Sequence, residues 1–113
     1  MFTVTLNGKT YQVDYVRAIA LREIGPVMET IRKMEAEKDY LPSGEALDKM
    51  VKWFCLFLGG QIKSDEIYQH YPADRLIYDI TLGAVACQAA TTEVLRAFPT
   101  QAAKKPQEKE AAL

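Results

Sequence analysis

Apolar and polar residues alternate at the start of the chain. Phe2, Val4 and Leu6 fall on one face, and Thr3 and Thr5 on the other. A period of two marks a half-buried strand. After Asn7-Gly8 comes a second β-forming run, Thr10, Tyr11, Gln12 and Val13. Asn-Gly between two such runs predicts a hairpin over 2–15 with a type I′ turn, because both turn residues tolerate positive φ. A lone hairpin is marginal in water. This one is expected to pack on the rest of the chain or to pair its edge with another chain.

From residue 16 the period changes. Ile24, Val27, Met28, Ile31 and Met34 recur at helical spacing. Gly25-Pro26 interrupts them, and proline is tolerated only in a first turn. The pattern predicts a short helix over 17–24 and a longer one over 26–38, with a single kinked helix as the alternative. Leu41 to Gly44 is a connector in which Ser43 can cap the next helix, with Glu45 and Asp48 in its first turn. That helix, 44–58, carries an apolar stripe of Leu47, Met50, Val51, Phe54, Phe57 and Leu58, and Gly59-Gly60 stops it. A short helix over 65–70 follows, with Ser64 as its cap.

The longest helix, 72–97, opens with Pro72 near its first turn. Leu76, Ile77, Ile80, Ala84, Cys87, Val94 and Leu95 trace one face. Leu82, Gly83, Val85, Ala86 and Ala89 make the other face apolar or small as well. A helix apolar all round is buried all round. It is either the central helix of the bundle or has one side against another subunit. Phe98-Pro99 closes the fold. Residues 100–113, TQAAKKPQEKEAAL, are small and charged, and predict a flexible tail. The expected architecture is α+β and mainly α. An N-terminal β-hairpin and a bundle of about four helices over 16–98 form a single globular domain, 1–99, before the tail.

Composition narrows the function. The chain has 113 residues, which suits one domain. Its 14 basic and 15 acidic residues are interspersed, leaving a net charge of −1 and no basic stripe for nucleic acid. No apolar run is long enough to span a membrane, and the alternating start is unlike a signal peptide. A soluble, intracellular protein is expected. Cys55 and Cys87 lie on separate helical patterns and read as free thiols. Zinc needs three or four converging ligands, whereas the chain has one histidine, His70. Asp65, Glu66 and Asp74 suit helix N-termini, and Asp79 has Arg75 four residues before it. The reading is of a protein that is not an enzyme, with no catalytic residue, metal or cofactor.

The aromatic residues are the candidates for partner binding. Tyr68, Tyr71 and Tyr78 gather around the start of the longest helix, and Trp53 adjoins Phe54. Such residues anchor interfaces, or line the rim of a core with a polar tip in water. Trp53, Phe54 and Phe57 span a wide arc of their helix. They are not all expected to face inward. Phe54 belongs to the core stripe and Trp53 is assigned to partner contact. Val4 is assigned to self-association through the hairpin. Val4→Pro is therefore expected to weaken assembly more than the helical fold.

At the level of whole-chain layout, the sequence resembles the tail assembly chaperones of long-tailed, siphophage-type bacteriophages. The likeness runs through VTLNGKTYQV, RAIALREIGPVMETIRK, LPSGEALDKMVKWFCLFLGGQ, DEIYQHYPADRLIYDI and the closing TTEVLRAFP. It covers residues 2–99 and contains no catalytic signature. It implies a protein that binds the tape measure protein, keeps its apolar helices soluble, self-associates and helps recruit the major tail protein during tail tube polymerisation. It also implies action in the cytoplasm of the bacterial host, without retention in the mature virion. The rival classes are a minor structural or connector protein of a phage particle and a small DNA-binding regulator, which the mixed charge disfavours. Members commonly occur in a short form and a longer form made by programmed frameshifting, and this chain would be the short form.

A chain ending at Pro99 is expected to unfold cooperatively with a thermal midpoint within a few degrees of full length. Loss of cooperativity would show that the tail docks. Lys104-Lys105 marks where the coding sequence is expected to hold an A-rich slippery run. Stop codons soon after it in both alternative frames would exclude the frameshift.

Overall fold

The computed structural model describes residues 2–97, with side chains as far as Thr92. The tail, Phe98-Pro99 and the side chains of Val94 and Leu95 lie outside the described residues. Strands β1 (Phe2–Leu6) and β2 (Lys9–Val13) pair antiparallel, with Phe2 opposite Val13 and Leu6 opposite Lys9. Asn7 and Gly8 have φ of 53° and 82°, the two positive values a type I′ turn requires. Five helices follow: α1 (Ala18–Arg22), α2 (Gly25–Ala36), α3 (Gly44–Phe57), α4 (Ser64–His70) and α5 (Ala73–Ala97). The α+β, mainly helical architecture is as expected, with one helix more than about four.

Pro26 explains the extra boundary. It sits in the first turn of α2, where a missing N–H costs nothing, so the chain breaks cleanly there and does not kink. At the far end of α3, Gly59 takes φ of +74°. Its N–H donates to the Leu56 carbonyl, and the Gly60 N–H donates to that of Cys55, both at 3.0 Å. These paired bonds close the helix in a Schellman motif. The Arg17 guanidinium lies where a Gly59 side chain would be, 2.5 Å from a Cβ placed there. Its charge thus sits at the negative end of α3. Two expected caps differ. Ser43 takes the N-cap position of α3 but makes no side-chain cap bond. Ser64 is the first residue of α4, and the preceding Lys63 N–H donates instead to the Glu66 carboxylate at 3.1 Å.

The central helix is α3, which packs against α1, α2, α4 and α5. Met50, Val51, Trp53, Phe54 and Phe57 are all buried. The expectation that Trp53 faces outward is overturned, since it is only 2% exposed. A helix enclosed on several sides has no single core stripe, and the wide aromatic arc is needed to meet all its neighbours. The Trp53 ring stacks on Phe57 at 5.2 Å, and its Nε1–H donates to the Ala20 carbonyl at 2.7 Å. Phe2 of β1 meets Phe57 edge-on at 5.0 Å, which seats the hairpin on α3.

Val4 is corrected too. It is buried with Leu6 and Val13, because the β1 alternation turns it into the core. A two-residue turn makes Leu6–Lys9 a hydrogen-bonded pair, so Val4–Tyr11 is one as well. Val4→Pro would therefore break the hairpin itself and cannot report on assembly alone.

Gly83 brings α5 close to α3. A Cβ there would lie 3.2 Å from Phe57 Cε2 and 3.6 Å from Phe54 Cε1. Both rings are fully buried, so a retreat would have to displace packed neighbours. Gly83→Ala gains up to ~1 kcal/mol in helix propensity, against about 1–3 kcal/mol for overpacking a filled core. The variant is expected to be about 1 kcal/mol less stable by urea titration. A gain in stability would show that the aromatic layer can yield.

Candidate partner-binding surfaces

Among the described residues no three His, Cys, Asp or Glu side chains gather in a way that could hold a metal ion. Three clefts lined by described residues hold about 160, 290 and 290 Å³. The two larger ones lie at the small end of the range for small-molecule sites and the third falls below it. Burial pushes the thiols of Cys55 and Cys87 up from their ordinary value. Both are therefore held as weakly nucleophilic thiols. No helix among the described residues is long and apolar enough to cross a membrane.

What the fold does present is uncovered apolar surface. Leu76, Ile80, Ala84 and Cys87 turn α5 toward the core. Tyr78, Leu82, Val85 and Ala89, spaced by four, three and four residues, form a stripe along its other side. Tyr78 is 58%, Leu82 41% and Val85 54% exposed. The second side of α5 is thus not enclosed within one chain. On α1, Ala20 is fully buried, and its neighbours Ile19 and Leu21 are 38% and 45% exposed. Each lies about 100° around the helix from Ala20, so neither can follow it inward. Val16, Arg17, Ala18 and Leu21 face Ala90 and Thr91 across a shallow groove where α1 meets α5. The α5 stripe, whose members share one side of a single helix, is the candidate interaction surface.

The five residues singled out in the sequence do not form one site. Trp53 and Val4 are core. The Tyr68 hydroxyl donates to the Asp48 carboxylate, tying α4 to α3. The Tyr71 hydroxyl donates to Asp79, and the Tyr71 ring meets Phe54 edge-on at 6.2 Å. Tyr68 thus braces α4 on α3, and Tyr71 braces the α4–α5 junction. Tyr78 alone belongs to the apolar stripe of α5, with the Arg75 guanidinium 5.7 Å from its ring centre. Ile19 and Leu21 were missed. Their signal was that two large apolar residues flank a small one on a helix too short to bury all three.

Compared with family models, with curated proteins and with solved structures, the chain matches none.

The two bracing tyrosines make stability sensitive to alkali. Desolvation, the hydrogen bond to Asp48 and the Asp48 charge push the Tyr68 phenol up to about 12. Burial, the Asp79 hydrogen bond and the Asp79 charge push Tyr71 further up, partly opposed by Arg75. A phenol that holds its proton more tightly when folded stabilises fully below the unfolded value of about 10, and that contribution fades as pH rises toward the folded value. Urea midpoints are expected to fall steadily above about pH 10. Tyr68→Phe and Tyr71→Phe should each flatten that fall. An unchanged slope in both variants would mean that the hydroxyl–carboxylate bonds do not persist in solution.

Proposed function

We propose that this chain is a tail assembly chaperone of a long-tailed bacteriophage. In this reading it binds the tape measure protein and keeps it soluble while the tail tube polymerises. The observation that supports it is the uncovered apolar stripe of α5, on which Tyr78, Leu82 and Val85 are exposed. Apolar client helices can lay their own faces against such a surface, the helix-in-groove mode of recognition. Binding of this kind needs exposed apolar area and no reactive group. The layout resemblance described above points the same way, and adds recruitment of the major tail protein and release before the virion is complete.

The direct experiment is co-expression with a candidate tape measure protein. That protein is expected to stay in the soluble fraction only when the chain is present. Leu82→Lys combined with Val85→Glu should abolish the rescue. Because both positions are exposed, the double variant should itself change in stability by only about 0.5 kcal/mol per site. A tape measure protein that is insoluble in either case sinks the proposal. Finding the chain in washed, purified virions would favour the minor structural or connector role.

A further inference from the structure

We propose that the free edge of β1 pairs with the same edge of a second copy, joining two hairpins into one four-stranded sheet across a two-fold axis. The inference stands on the hairpin alone and does not depend on the chaperone reading.

The two edges of the hairpin are unequal. Leu6–Lys9, Val4–Tyr11 and Phe2–Val13 are the pairs that bond within it. The N–H and C=O groups of Thr3 and Thr5 therefore point outward along β1, and those of Thr10 and Gln12 point outward along β2. On the β2 side, Gln61 Nε2 donates to the Gln12 carbonyl at 3.1 Å and to the Leu58 carbonyl at 2.8 Å. That side chain lies across the edge and blocks an incoming strand. On the β1 side no backbone partner for Thr3 or Thr5 occurs among the described residues. The edge opens on a cleft lined by Thr3, Val4 and Thr5 with Tyr71, Pro72, Arg75 and Asp79.

Three of the usual protections of an edge strand, a charge, a proline and a bulge, are missing from β1. It is five residues of Phe, Thr, Val, Thr and Leu. β2 begins with Lys9 and is followed by Asp14.

The occupant is a second copy because the free groups are self-complementary. An antiparallel pairing centred on Val4 sets Thr3 opposite Thr5 of the second copy, and Thr5 opposite its Thr3. Both are outward-facing positions, so each pair exchanges two N–H···O bonds. The two Val4 residues lie opposite each other across the axis, each with its side chain already enclosed in its own core. The threonines extend the outer-face row that already places Thr5 Oγ1 3.3 Å from Thr10 Oγ1, a favourable cross-strand combination. The product replaces two marginal ribbons with one sheet of ordinary size.

Proline at Thr5 removes only an outward N–H, leaves the intrachain ladder intact and blocks the seam. Sedimentation of the full chain over a concentration series is expected to show reversible dimers, with Thr5→Pro weakening association about tenfold or more. Thr10→Pro, the matching change on the other edge, should leave association unchanged. Should Thr5→Pro fail to fold, Thr3→Lys with Thr5→Lys serves instead, since it opposes like charges across the seam. Amide exchange read residue by residue should show Thr3 and Thr5 becoming protected as dimer forms, with Thr10 unprotected throughout. A wild-type chain that stays monomeric at millimolar concentration overturns the proposal, as does dimerisation unaffected by the β1 variants. Protection of Thr3 and Thr5 only on adding a different protein overturns it as well, and assigns the edge to a foreign strand.

Discussion

The Trp53 indole joins parts of the chain that sequence keeps far apart. Its N–H holds the Ala20 carbonyl of α1, and its ring lies on Phe57. Phe57 in turn carries Phe2 of the hairpin and stands against Gly83 of α5. A carbonyl at that depth needs a donor, because an unsatisfied buried acceptor costs about 1–3 kcal/mol. The bond fixes where α1 lies, and the ring stack fixes how near α5 and β1 approach. The remaining layout follows from this column. With α1 held by Ala20, Ile19 and Leu21 are left at its margins. With α5 drawn in at Gly83, Leu82 and Val85 are carried to the outside.

Local signals were legible in the sequence and the identity of the centre was not. Asn7-Gly8, Pro26 and Gly59-Gly60 each impose a backbone conformation that few other residues accept, so the hairpin, the α1–α2 break and the end of α3 could be read from single positions. The caps at Ser43 and Ser64 were less certain guides, since a neighbouring acceptor such as Glu66 can take over the role. Helical periodicity shows which residues share a face but not how many neighbours a helix has. A single stripe on α3 would put Trp53 at the surface, whereas α3 has contact partners on several sides. The same ambiguity left α5 open between a central and a peripheral place. Its small residues turned out to serve a close approach on one side only. Val4 could not be placed from its strand alone, because alternation separates two faces without saying which one is covered.

The exposed features divide into two kinds of surface with different physics. The α5 stripe is apolar and tolerant of register, suited to holding many related helices by area alone. The β1 edge is directional, and hydrogen-bond spacing admits few partners. The first suits a client whose sequence varies along its length, and the second suits a fixed geometry between identical chains. The chaperone proposal needs only the first. Doubling the first through the second would give a client two sites related by a two-fold axis, with avidity set by their spacing.

Trp53 is the chain's only tryptophan, and its enclosure has an optical consequence. Its emission reports the packing of α1 on α3 and is shielded from the water outside α5. A red shift in fluorescence marks α1 lifting from the core, even while the remaining helices stay formed. Ligation of the Leu82 and Val85 face leaves that spectrum in place. One intrinsic signal therefore separates loosening of the scaffold from occupation of its surface.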